Sequence, residues 1–247
     1  MEPERFAEWR ALWRDSIGLR RADGRSPVVG SLAGRPALAP DAEWPRDEYG
    51  TPKQYLMTLD LAALPRIGID LPDRGVLVFF IDDEFEAPDV LFFEDAAGLE
   101  ARDWPEELDW TAPERIEVMA VVEPSQPGSD HPYLSGVPKG HFKGLGRVIA
   151  TEIDHPVPPN YGDHRIGGYY AFGTQYDFPC APASEVPDLP GTPDPEVLDL
   201  PILLVRMDYD PDAGMVWGDC GSSEWVIGRD DLAARRFDRV EFSWSCH

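Results

Sequence analysis

The apolar residues of this 247-residue chain come in short runs, and the longest sets the terms for the fold. After Gly75 the residues Val-Leu-Val-Phe-Phe-Ile, 76–81, are apolar without a break. Six residues suit a strand covered on both faces and are too few for a buried helix. Further strands are expected at Gln54–Asp60, Val90–Phe93, Ile116–Val122, Arg147–Ile153, Ile202–Asp208 and Glu224–Ile227. Val240–Trp244 alternates apolar and polar, the pattern of a strand with one wet face.

Helices are few. Phe6, Trp9, Leu12, Trp13 and Ile17 fall on one helical stripe, which predicts an amphipathic helix over residues 3–17 ending near Gly18 or Gly24. Asp60 caps a single turn that Pro65 stops, and Asp230–Phe237 carries acids first and arginines last, as the helix dipole favours. Residues 26–52 are a loop rich in Pro and Gly, 123–165 form an insertion or a lid, and 179–200, with six prolines, are a surface linker. There is also an internal echo. Residues 54–81 and 202–227 each run strand, terminal aspartate (Asp60 or Asp208), turn, glycine, strand. The fold class expected is α+β and β-rich, with two similar sheet-containing halves packed together, an N-terminal amphipathic docking helix in residues 1–25 and few short helices. The halves span about 26–122 and 166–247.

The charge excludes one class of partner. Asp and Glu number 46 against 22 Lys and Arg, a net charge of −24, and only Lys53, Lys139 and Lys143 are lysines. Such a field repels phosphate backbones, so nucleic acid is not expected, while a basic protein is attracted. The same charge equally serves as a plain solubility surface. No apolar run is long enough to span a bilayer, the N-terminus lacks a signal-peptide pattern, and Cys180, Cys220 and Cys246 do not make a disulfide framework. A cytoplasmic protein that keeps clear of membranes is expected.

Gly218-Asp219-Cys220-Gly221 reads either as a nucleophile in a tight turn or as a hairpin turn. A nucleophile needs a base such as His164 or His247, and the acidic neighbours disfavour a thiolate. The hairpin reading needs only glycine turns and a small packed thiol. No pair among the cysteines and histidines has zinc spacing, no calcium loop is present, and phosphate-binding glycine motifs and the Gly-x-Ser-x-Gly elbow are missing. No catalytic residue, cofactor or metal is therefore expected. What remains is a groove where the halves meet, with Asp60, Gln175, Asp177, Arg206, Asp208, Trp217, Asp219 and Cys220 as candidate ligand or partner contacts. Tyr169, Tyr170, Phe172, Tyr176 and Trp225 supply rings to such a groove, or to a β core.

Several segments together resemble the YwqG-like family of bacterial proteins, a group of unknown function. They are Ser31-Leu-Ala-Gly-Arg-Pro-Ala-Leu-Ala-Pro40, Glu43-Trp-Pro45, Leu56–Pro65, Gly75–Phe80, Gly167-Gly-Tyr169 with Gln175-Tyr-Asp177, Leu203–Asp208, Met215–Gly221 and Asp231–Val240. The resemblance implies one domain over 26–247, an α+β fold of two similar halves, and no established activity. In the family, glutamine usually stands two residues before each strand-ending aspartate. Here those positions hold Thr58 and Arg206. The kinship of some relatives with toxin–immunity loci implies a binding role. The expected function is that of a non-catalytic acidic binding protein for a basic protein partner, with an immunity-like role as the resemblance implies. The alternative is an enzyme acting on a small molecule in the groove, using Asp60, Asp208, Gln175 and Cys220.

Overall fold

The computed structural model describes residues 3–108, 112–127, 163–170 and 201–246. Among them are two short helices, α1 (Pro3–Ala11) and α2 (Arg229–Ala233), and twelve strands. The strands are β1 (Arg14–Arg21), β2 (Val28–Leu32), β3 (Ala37–Leu38), β4 (Gln54–Asp60), β5 (Val76–Ile81), β6 (Pro88–Phe93), β7 (Glu100–Ala101), β8 (Ile116–Ser125), β9 (Arg165–Ile166), β10 (Ile202–Asp208), β11 (Ser222–Ile227) and β12 (Glu241–Ser245). Ten form one sheet in the order β12-β11-β10-β9-β1-β8-β2-β4-β5-β6, and β3 pairs separately with β7.

The expected α+β fold of two packed halves is thereby corrected. The protein is mostly β, with a single antiparallel sheet that curls into a nearly closed, barrel-like form. The reason lies in residues 14–21. As far as Ile17 they were expected to continue the N-terminal helix, yet helix α1 stops at Ala11 and β1 begins at Arg14. Ile17 and Leu19 are buried on one face while Ser16, Gly18 and Arg20 lie on the other, a period of two that the helical stripe obscured. Strand β1 pairs with β8 over eight residues, from Arg14↔Ser125 to Arg21↔Val118. That ladder joins what would otherwise be two sheets.

Curling brings distant strands together across one large core. The Phe79 ring on β5 meets Trp225 on β11 edge to face at 5.4 Å, and Phe92 on β6 lies 5.0 Å from Phe237. Trp217 and Trp225 are fully buried here, with Phe85 and Phe242 against them. Aromatic groups of this size dominate the burial energy, and truncating one to Ala costs roughly 3–5 kcal/mol.

The sequence echo is a repeated register within that sheet. In the first meander, β4 and β5 pair Tyr55↔Phe80, Met57↔Phe79, Thr58↔Val78, Leu59↔Leu77 and Asp60↔Val76, with an irregularity after Tyr55. In the second, β10 and β11 pair Leu203↔Val226, Val205↔Trp225, Arg206↔Glu224, Met207↔Ser223 and Asp208↔Ser222, with the irregularity after Leu203. Met57, Phe79, Val205 and Trp225 face the large core. Tyr55 and Phe80 belong to a separate cluster with Leu38, Val76 and Val78, covered by Trp44 and Trp104 on the outer face. The expected strand Arg147–Ile153, the linker 179–200, and Phe172, Gln175, Tyr176, Asp177, Cys180 and His247 lie outside the described residues.

Candidate functional site

Among the described residues, the expected groove candidates do not converge. Asp60 accepts the Ala62 N–H at 3.0 Å and caps a 3₁₀ turn, Leu61–Ala63. Trp217 is inside the core. Asp219 and Cys220 are exposed at a tight turn that the Gly221 N–H closes on the Trp217 carbonyl at 2.8 Å. The turn is thus held by backbone rather than by the aspartate side chain. Cys220 itself has a left-handed backbone (φ 56°), which non-glycine residues rarely adopt. Gly221 has no alternative, because a Cβ there would come within 2.0 Å of the Ser245 carbonyl oxygen.

Only Arg206 and Asp208 fall in a common setting, a polar network on the outer face and upper end of the sheet. Arg206 faces Glu224 across the β10–β11 ladder at 3.4 Å, and Glu224 is 1% exposed. Arg165 on β9 is the next residue in the same row and pairs with Asp163. Burial, and then the charge of Arg206, pushes the Arg165 guanidinium below its usual pKa, although a guanidinium stays charged in proteins. On β1 the residue in register is Gly18, and two residues further along the same face Arg20 pairs with Glu123 at 2.7 Å. Gly18 leaves room for that carboxylate, since a Cβ there would lie 2.7 Å from it. Three guanidiniums thus meet three carboxylates.

Behind this row His164 is buried. Its Nδ1 accepts the Asp208 N–H at 3.2 Å, so Nε2 faces Asp210 Oδ2 at 3.3 Å. Asp210 also accepts from Arg21 at 3.0 Å and from the Ala213 N–H at 3.3 Å, capping the 3₁₀ turn Pro211–Ala213. Burial pushes the Asp210 carboxyl up, but His164, Arg21 and the backbone donor outweigh it and hold the pKa below the ordinary value of 3.8. Asp208 accepts the Asp163 and Tyr209 N–H groups, both at 3.0 Å. His164, read from sequence as a possible base for Cys220, is instead committed to Asp210. Among the described residues no group of three His, Cys, Asp or Glu side chains is placed to hold a metal ion.

The sequence reading did not single out Arg20, Glu123, Arg165, Asp210 or Glu224. A signal was present in Leu-Leu-Val-Arg-Met-Asp, 203–208, and Ser-Ser-Glu-Trp-Val-Ile, 222–227, where each strand carries one interior charge of opposite sign. A charge inside a buried strand requires a partner.

A second concentration of charge is exposed. Residues 82–107 contain eleven Asp and Glu against one basic residue, Arg102. They build the edge strand β6 and the chain that follows it. Asp83, Glu84, Glu86, Asp95, Glu100 and Glu106 stand exposed, and the structure gives none of them an ion pair. Arg46 joins Glu107 at 3.1 Å and ties this margin to the loop 46–51. In that loop Asp47 Oδ1 accepts the Tyr49 and Thr51 N–H groups at 2.9 and 2.7 Å, and Tyr49 projects outward, 82% exposed.

A curled antiparallel sheet with a repeated meander, one outer face apolar and the other ionic, defines the structural class of this protein. The model of the family described as "Domain of unknown function (DUF1963)" matches residues 30–246, and the chain belongs to that family. No curated protein matches it.

Proposed function

We propose that this chain is a non-catalytic binding protein whose acidic margin captures a basic protein partner. The observation that carries the reading is Tyr49, an aromatic side chain held outward by a hydrogen-bonded loop, in a stretch of sequence that also carries Asp41, Glu43, Asp47 and Glu48. Tyrosine is enriched among the few residues that dominate interface energies, and a loop already fixed by Asp47 loses little entropy on docking. The uncompensated carboxylates of residues 82–107 supply the steering field, which speeds encounter with a cationic surface. The likeness of Ser31–Pro40, Leu56–Pro65 and Met215–Gly221 to YwqG-like proteins supports placing the chain in that branch of the family, with an immunity-like role in the cytoplasm. No described helix is long and apolar enough to cross a membrane.

The test is capture from native lysate at low salt, followed by purification of the recovered protein and titration of the pair. A basic protein is expected, binding one to one, with affinity falling as salt rises and falling about tenfold or more for Tyr49→Ala. Recovery of no protein, or a complex indifferent to both salt and Tyr49→Ala, sinks the reading. The side chain is exposed, so this variant should fold as the parent does.

A further inference from the structure

A cleft of about 710 Å³ opens where α1 meets β1, β8, β10 and α2, and its lining runs against the charge of the whole molecule. Arg10, Arg14 and Arg229 converge on it, interleaved with Trp13, Tyr169 and Tyr170. Its acids, Asp15 and Asp70, are both exposed, and neither pairs with these arginines. The described lining therefore carries three positive charges against two negative ones, on a chain of net charge −24.

The wall is rigid. The Tyr169 hydroxyl donates to the Leu12 carbonyl at 2.7 Å, and its N–H donates to Ser125 Oγ at 3.0 Å. Gly168 before it has φ +80°, and a Cβ there would lie 2.5 Å from the Ser125 side chain, so the backbone is fixed in place. The Arg14 guanidinium stacks on the Tyr169 ring at 4.6 Å, and Arg10 stands over Trp13 at 5.9 Å. Stacking of this kind fixes the plane of a guanidinium. Arg229 provides the second, independent observation. It is half-buried, no carboxylate among the described residues pairs with it, and its Nε is fully buried without a hydrogen-bond partner. An orphaned donor of this kind costs stability unless something accepts from it.

We propose that this cleft binds a small organic anion with a flat ring, its carboxylate or phosphate group taken by Arg229 and Arg10 and its ring lodged against Tyr170 and the Arg14–Tyr169 stack. The volume suits a ligand of nucleotide size and far exceeds a bare inorganic ion. Several polar donors on an otherwise aromatic wall are what fix the orientation of such a ligand. The site is separate from the acidic margin at Tyr49, so either reading can fail alone.

Calorimetric titration of the full chain with adenosine 5′-monophosphate, benzoate, adenosine and inorganic phosphate tests the proposal. At least one of the two organic anions is expected to bind, and about tenfold or more tighter than inorganic phosphate. Adenosine, which keeps the ring without the charge, should be much weaker than its monophosphate. Arg229→Met should weaken the organic anion by about tenfold, the loss of one charge-assisted hydrogen bond, with a melting temperature no lower than the parent's. Arg10→Ser, at an exposed side chain, should weaken it without disturbing the fold even if Arg229→Met does disturb it. Absence of binding by both organic anions below about 10 mM overturns the proposal. So does inorganic phosphate binding as tightly as they do, or affinity unchanged in both variants.

Discussion

The two meanders of this sheet share a register and differ in what their outer faces carry. The row Ser31–Thr58–Val78–Leu91 crosses β2, β4, β5 and β6. The equivalent row, Arg165–Arg206–Glu224–Ser243, crosses β9, β10, β11 and β12. Both rows have an interior pair at the same point of the ladder, Thr58↔Val78 in one and Arg206↔Glu224 in the other. Around the first pair the chain packs Tyr55, Val76, Phe80, Trp44 and Trp104, with the Tyr55 hydroxyl 2.8 Å from Thr58 Oγ1. Around the second it packs Arg165, Arg20 and Glu123. The backbone ladder therefore accepts either an aromatic cover or an ionic one. What the face carries is decided by side chains, so a repeated fold need not imply a repeated site.

The largest expected effect comes from putting the charge of one row into the other. Val78→Glu places a carboxylate at a fully buried position whose neighbours are Tyr55, Val76 and Phe80, with no guanidinium on its strand or on β4. The change should cost about 4 kcal/mol or more, because an unpaired buried charge must either be desolvated or neutralised. Soluble yield and urea unfolding read this directly. A variant with the parental midpoint would show that the apolar cover is loose, and the contrast between the faces would lose its meaning.

Which parts of this were legible in the sequence follows from the range of each signal. The run Val76–Ile81 identified β5, and the strands ending at Asp60 and Asp208 were placed with their full bounds, because periodicity within one strand is a local property. The stitching strand β1 was not legible. Its Ile17 completes the stripe Phe6, Trp9, Leu12 and Trp13, which fits a helix over 3–17, and its partner β8 lies about a hundred residues away. Only the tertiary pairing decides between the two. The described groove candidates lie apart for the same reason. Asp60 was singled out by the strand echo, and Trp217 and Cys220 by a glycine-rich stretch, whereas Arg165, Arg206 and Glu224 meet through strand register, which is not written in any single segment.

A middle-sized effect is expected at Asp210, which anchors the ionic side through His164, Arg21 and Ala213. Asp210→Asn should destabilise the protein by roughly 3 kcal/mol, as when one partner of a buried pair is removed. The pH dependence has a definite sign. The folded carboxyl has its pKa held below 3.8, so its contribution is complete above the unfolded value and is lost as pH falls through the lower folded value. Chemical denaturation across the acid range should therefore show a steeper loss below about pH 4 in the parent than in Asp210→Asn. Parallel acid limbs would show that Asp210 titrates alike in folded and unfolded chains, and would remove the ionic anchor from the comparison.

The smallest effect is expected when the ionic pair is converted into its apolar counterpart, Arg206→Thr with Glu224→Val. Removing Glu224 alone leaves Arg206 and Arg165 adjacent and short of a carboxylate, which should cost about 3 kcal/mol. Removing both partners leaves Arg20 and Arg165 facing Glu123 and Asp163, a balanced set. Replacement of a buried ion pair by apolar side chains is often close to neutral, so the double variant should stay within about 2 kcal/mol of the parent, the remainder reflecting lost side-chain volume. The four proteins of the cycle yield a coupling energy directly. A double variant as unstable as Glu224→Val alone would mean that Glu224 is needed for something other than Arg206. The ionic row would then be a site with its own requirement, rather than an alternative way of covering the same sheet.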